Sequence, residues 1–202
     1  MFGNLRRDAA RYVELGRWYA NPGFWIVAIY RFGAWAHSLP AAFRIPLWML
    51  YRVARVLQRG MFSVELWAGS RGARIGPGLC LLHPFNVLIG PVEIGEDCLI
   101  LHEVTLGLGP SPGLPRIGNG VDIYAGAKVL GGVTIGDRSM IGANCVVMRD
   151  IPANSVVSPP PIQVIPRSLS PYASRADQRT TAKSQVLAEA SEATQSKSAK
   201  SD

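Results

Sequence analysis

From Ile75 onward an aliphatic residue returns at almost every sixth position. Ile75, Leu81, Leu88, Ile94, Ile100 and Leu106 follow one another in steps of six, with a single step of seven between Leu81 and Leu88. After a step of eleven, Ile117, Ile123, Val129, Ile135, Ile141 and Val147 resume the steps of six. A helical period of 3.6 does not produce this spacing, and small turn-forming residues recur too often for long alternating strands. Glycine directly follows Ile75, Ile94, Ile117, Ile135 and Ile141. Three short strands per coil, with corners between them, satisfy both facts. The pattern predicts a triangular parallel β-helix, each aliphatic side chain pointing inward and each small residue at a tight corner. Each coil of such a solenoid rests on the next. The eleven-residue step makes Gly107–Arg116, GLGPSPGLPR, an extra loop of the kind that builds binding surface.

The region before Ser70 reads differently. It predicts helices over Asp8–Tyr19, Phe24–His37 and Ala42–Gly60. Asn21-Pro22-Gly23 starts the second, and Ser38-Leu39-Pro40 breaks it. In the third, Arg52, Arg55 and Arg59 lie about one turn apart, and Leu47, Leu50, Val53 and Val56 form an apolar face that needs a partner element. The arginine stripe reads as a solvated face, a membrane-facing stripe or a partner surface. Trp25, Trp35 and Trp48 either anchor at a lipid interface or pack the helices. His37, just before a break, reads as a packed or capping histidine. The longest apolar pieces, Phe24–Tyr30 and Ile45–Tyr51, fall short of the roughly 20 residues a membrane span needs. The first residues are too polar for a signal peptide. A cytoplasmic protein is expected, with peripheral contact at the inner face of the membrane as an option. Past Pro152 the repeat fades, Ser158–Pro161 is extended, and residues 170–202 are rich in Ser, Ala, Thr, Gln and Lys. That composition predicts disorder, with Ala182–Ala193 as a short helix candidate. The division expected is a helical region over 1–70, a β-helix domain over 71–165 and a largely disordered tail over 166–202. The fold class is mainly β.

The formal charge of +7 could suggest nucleic acid, but its distribution argues otherwise. Residues 1–70 hold nine arginines against Asp8, Glu14 and Glu65, a balance of +6, and the rest is nearly neutral. No basic run interleaved with aromatics forms a stacking platform, so no nucleic-acid partner is expected. Cys80, Cys98 and Cys145 form no CxxC pair and lie in apolar surroundings, which reads as reduced core thiols and no metal site.

The segments GARIGPGLCLLHPFNVLIG, VEIGEDCLILHEVTLG and PRIGNGVDIYAGAKVLGGVTIGDRSMIGANCVVMRDIPANSVV resemble the left-handed β-helix, or hexapeptide-repeat, acyltransferases, and within them the serine acetyltransferase-like branch. The resemblance covers about Gly72–Ile165. The helices before it resemble the shortened N-terminal region of relatives that acetylate exopolysaccharide sugars. The resemblance implies acetyl-CoA as co-substrate, a homotrimer that could pair into a dimer of trimers, and an active site between adjacent β-helices. The sequence also departs from the pattern. Leu82 stands where serine acetyltransferases have an acid before the histidine. Leu114 stands where they have a second histidine before the Pro-Lys-Ile turn. Ser158–Ile165 replaces the usual ending. The acceptor implied is therefore a hydroxyl of either serine or a surface-polysaccharide sugar.

His83 matches the family's catalytic histidine. It is the second residue after Leu81, which predicts a surface position, and histidine suits a base that takes a hydroxyl proton near neutral pH. His102 is the second residue after Ile100. The repeat phase therefore predicts that it stacks on His83 one coil away, at a strand spacing of about 4.8 Å. It reads as an acceptor-binding or positioning residue beside the catalytic one, or as a solvated ladder residue. What orients His83 is left to Glu103, Asn86 or a backbone carbonyl. For the pantetheine arm, the resemblance implies backbone near Gly107, Ala125 and Ala143. Lys128 and Arg149 are candidates for the phosphate or adenine end, or plain solvated charges. Leu114 predicts a more apolar acceptor rim. Against the enzyme stands one alternative, an inactive β-helix scaffold or binding module.

Overall fold

The computed structural model describes residues 2–13, 16, 18–68 and 72–161, and residues 1–159 form one compact unit. Three helices come first: α1 (Phe2–Val13), α2 (Pro22–His37) and α3 (Ala41–Phe62). Asn21 caps α2, its side-chain oxygen accepting from the Gly23 N–H at 2.9 Å, and Pro22 supplies the preset φ of a first turn. Helix α3 ends where Ser63 turns left-handed, with φ 53°. Helix α1 lies earlier than the expected Asp8–Tyr19. The reason is Asp8 itself: it is no cap but a fully buried residue in mid-helix, committed to partners far along the chain.

Among the described residues fourteen short strands follow and pair, all in parallel, into three sheets. The first sheet stacks Glu65–Leu66, Leu88–Ile89, Thr105–Gly107, Lys128–Leu130 and Val146–Val147. The second stacks Arg74–Ile75, Glu93–Ile94, Arg116–Ile117 and Thr134–Ile135. The third stacks Cys80–Leu81, Leu99–Ile100, Asp122–Ile123, Met140–Ile141 and Val156–Val157. The chain visits them in turn, so each coil has three strands and three corners. This is the expected triangular β-solenoid. Its first strand, Glu65–Leu66, precedes residue 71, because Val64 and Leu66 are already buried.

The inward positions carry the core. Leu81, Ile100, Leu106, Ile123, Val129, Ile135 and Ile141 have no exposed surface. Each such side chain contributes about 1.5–3 kcal/mol when fully buried. One expected position is corrected. Leu88 faces solvent and Ile89 is the inward residue, paired in register with Leu66 and Leu106. The step from Leu81 to the next inward residue is therefore eight, and the step onward to Ile94 is five. A wider corner at Leu82–Val87 is offset by a tighter one at Gly90–Pro91, where the Val92 N–H reaches the Gly90 carbonyl at 2.8 Å.

A terminal coil has no neighbour to satisfy its outer backbone groups, and the helices supply them here. The Asp8 carboxylate accepts from the Gly78 and Leu79 N–H groups at 2.8 and 3.1 Å. It is held in a fork by Arg31 Nε and Nη2 at 2.8 and 3.0 Å. Arg31 then donates to the Ile75 and Gly76 carbonyls at 2.7 and 2.6 Å. The Tyr12 hydroxyl accepts from the Leu81 N–H at 2.7 Å, and burial pushes its pKa up, so it stays a neutral O–H. Tyr30 donates to the Ala73 carbonyl, and Tyr51 accepts from the Ala68 N–H. Gly23 lets α2 approach this closely, since a Cβ there would collide with the Leu81 carbonyl. The side chains thus blunt an edge that would otherwise template pairing with another chain.

Cys80, Cys98 and Cys145 are free and buried. Burial pushes the Cys98 thiol up to about 11. No described helix is long and apolar enough to cross a membrane. The tail expected to be disordered, including Ala182–Ala193, lies outside the described residues.

Candidate active site

The wide corner between the third and first sheets is the irregular feature of the first coil, and it carries His83. In the next three coils the same corner is a uniform turn whose left-handed residue is Glu103, Gly126 or Asn144, with φ 59°, 74° and 59°. Each donates its N–H to the carbonyl before the equivalent residue one coil below: Glu103 to Phe85, Gly126 to His102 and Asn144 to Ala125, at 2.8 to 3.0 Å. These bonds define a column of Phe85, His102, Ala125 and Ala143. The Leu82 N–H likewise meets the Ile100 carbonyl at 2.9 Å. His83 and Pro84 are therefore the two residues added to the first coil.

His83 lies at this added bulge, exposed, with φ 50°. Its carbonyl accepts from the Phe85 N–H at 2.7 Å. The same left-handed φ recurs at ordinary corners, at Glu103 and Asn144 for example, so what sets His83 apart is its place in the added bulge. Both histidines occupy the corner that the sequence assigned them. The backbone register, however, seats Phe85 directly below His102, because the bulge shifts His83 out of the column. Two residues not singled out in the sequence hold the bulge in place. The Asn86 N–H donates to the Phe62 carbonyl at 3.0 Å, and the Phe62 and Phe85 rings meet at 5.6 Å. The end of α3 thus fixes the corner. A run of HPFN with a proline inside a repeat was the available signal.

His102 is half-buried, and its Nδ1 is buried without a partner. Glu103 points its carbonyl, not a carboxylate bond, into the structure: it accepts from Lys128 Nζ at 2.6 Å. Lys128 also donates to the Gly126 carbonyl at 3.0 Å. Its ammonium is thus engaged with two corner carbonyls, which favours the structural reading of that residue over a phosphate contact. Among the described residues no hydrogen bond reaches the His83 imidazole, and Arg149 is exposed.

Ala125, half-buried, and Ala143, exposed, continue the column above His102 with one-carbon side chains. Gly107 ends a strand of the adjoining sheet, and a Cβ there would meet nothing within 4 Å. The extra loop starts at Leu108, which is exposed, and crosses the corner above it. Ser111 and Pro112 pack on Gly131 and Gly132, where side chains would not fit. Leu114 is half-buried against the main core, and Pro115 is buried.

Residues 115–149 match the family model described as bacterial transferase hexapeptide (six repeats). The chain is 38% identical over 168 residues to a serine acetyltransferase of Synechococcus elongatus, covering 81% of this chain and 65% of that protein. It is 40% identical over 138 residues to a serine acetyltransferase of Helicobacter pylori, covering 66% of this chain and 75% of that protein. The crystal structure of the Brucella abortus serine acetyltransferase in complex with coenzyme A superposes with a TM-score of 0.64 at 28% identity, over 80% of this chain and 66% of that one. The chain belongs to the hexapeptide-repeat acyltransferases of the serine acetyltransferase type.

Proposed function

We propose that the protein transfers acetyl from acetyl-CoA to a hydroxyl, with His83 as general base. The observation that carries this reading is the two-residue bulge that lifts one histidine out of an otherwise uniform corner. A neutral imidazole there takes the acceptor hydroxyl proton as the oxygen attacks the thioester carbonyl. The tetrahedral intermediate then collapses, the C–S bond breaks, and coenzyme A leaves with the proton returned from the imidazolium. His102, with its unpartnered Nδ1, is the neighbour we assign to holding the acceptor. The column of one-carbon side chains at Ala125 and Ala143, with open space at Gly107, is the proposed path of the pantetheine arm, with exposed Arg149 toward the phosphate end.

The relatives' names favour serine as acceptor. A second reading, a sugar hydroxyl of a surface polysaccharide, draws on two residues. Leu82 and Leu114 are half-buried and apolar where the family pattern has an acid and a second histidine, which removes charges that would read an amino acid. A homotrimer, with the corner covered by an adjacent copy, and a cytoplasmic location fit either acceptor. Acetyl-CoA consumption by the wild type and His83→Ala, with serine and a panel of sugars, tests the proposal. Turnover with serine that vanishes in the variant favours the first reading, and turnover only with sugars favours the second. If no acceptor is used and acetyl-CoA does not bind, the inactive scaffold is the better description.

A further inference from the structure

Helix α3 buries only a narrow stripe, marked by Tyr51 and Gln58. Its opposite side carries Ile45, Met49, Leu50, Val53, Leu57 and Met61, each 58 to 70% exposed. At 3.6 residues per turn these side chains spread over about 160° of arc, and no charged residue interrupts them. A soluble surface does not ordinarily present so continuous an apolar face. The face runs into an open apolar groove of about 490 Å³ between α2 and α3, bordered by Tyr19, Trp25, Leu57 and Met61. Trp25 stands half-exposed at its edge, with its indole N–H fixed on the Tyr19 carbonyl at 2.7 Å.

Directly beside this face, Arg52, Arg55 and Arg59 line a second hollow of about 240 Å³, together with Tyr51 and Trp67. Arg55 lies over the Trp67 ring at 4.7 Å, and its Nε is buried without a partner. Among the described residues one carboxylate answers the three cations, Glu65, which meets Arg59 at 2.7 Å. Helix α3 itself contains no acidic residue. A second copy packed on this face across a two-fold axis would bring the same three arginines, with Glu65, already paired to Arg59, as the carboxylate beside them. A surface that is apolar inside and anionic at its rim complements both halves.

We infer that α3 docks the protein on an anionic lipid bilayer. The apolar face enters the acyl boundary, Trp25 sits at the interface, and the arginine hollow receives a headgroup phosphate. The inference stands independently of the acetyl-transfer reading, because α3 reaches the histidine corner only through Phe62 at its end, and neither its exposed apolar face nor its arginines take part there.

The test is co-sedimentation of the full chain with vesicles of phosphatidylcholine alone and of phosphatidylcholine doped with phosphatidylglycerol. Binding is expected to the doped vesicles and to weaken as salt rises. Replacing Arg52, Arg55 or Arg59 by alanine is expected to weaken it about fivefold for each arginine removed. The neutral pair Met49→Gln and Val53→Gln, both on exposed positions, is expected to weaken it at least about tenfold with helix content unchanged. Equal partition to both vesicle types, or no binding to either, overturns the inference. A fall in solution mass for the glutamine pair by light scattering also overturns it, because it assigns the face to a second copy. Inorganic phosphate that binds the arginine hollow of protein that ignores vesicles likewise overturns it, as a free-anion site.

Discussion

The coils from Arg116 to Val147 and the first coil, from Val64 to Ile89, are built of the same unit and solve different problems. In the later coils every strand has a neighbour on at least one side, inward residues recur at six, and Ser139 is their single buried polar residue among those described. The first coil has an open outer edge. Asp8 and Arg31, both buried, bind its backbone, and hydroxyls of Tyr12, Tyr30 and Tyr51 complete the set. The repeat also breaks there, at the bulge that holds His83. Regularity builds the rod, and the histidine proposed as the base sits where a terminal coil is free to depart from it.

The largest expected effect lies in the irregular coil. His83→Ala should lower acetyl transfer by about 10²–10⁴-fold while leaving the melting temperature unchanged. An unaffected rate would remove the chemical half of the contrast. Next is Asp8→Ala, which strands the Arg31 guanidinium inside the protein. Denaturant unfolding should show a loss of about 3–5 kcal/mol. A loss no greater than that of an ordinary surface substitution would mean that the edge is not sealed by this pair. The neighbours Leu88 and Ile89 sharpen the register: Ile89→Ala should cost about 2–5 kcal/mol, and Leu88→Ala within about 0.5. Reversed values would restore Leu88 as the inward residue, with a step of seven before it and six after it. The smallest effect concerns the regular corners. With the Cys98 thiol pushed up to about 11, its thiolate fraction at pH 8 is about one part in a thousand. Alkylation followed by mass spectrometry should leave Cys98 unmodified in the native protein and label it after unfolding.

How much of this was legible in the sequence follows from the same contrast. The solenoid was readable because each inward aliphatic obeys a local rule, repeated twelve times. Its one error, Leu88 for Ile89, arose where two adjacent aliphatics, Leu88-Ile89, make the phase ambiguous and the bulge shifts it by one. The α2 boundaries were readable from Asn21-Pro22. Those of α1 were not, because Asp8 in a sequence looks like a helix start, and only its partners Gly78 and Arg31 reveal a buried anchor. His83 could be named from its motif. The pinning of its corner by Phe62 and Phe85 could not, since that contact joins two regions the repeat does not relate. Lys128 was ambiguous as a charge and becomes specific only once the Glu103 and Gly126 carbonyls surround it.

The cap described above also has a chronology. Strands stacked on one another in the solenoid are 18 or 19 residues apart at pairs such as Lys128 with Val146 and Cys80 with Leu99. The bonds from Asp8 and Tyr12 to the first coil span 69 to 71 residues. Closing the longer loop costs more entropy, so the interior coils are expected to assemble before α1 docks. Pulse-labelled hydrogen exchange would read that order, and protection of the Leu81 amide ahead of the Lys128 amide would contradict it. On this schedule the coil bearing His83 is the last to become rigid, and a chain interrupted during folding carries a finished rod without a finished catalyst.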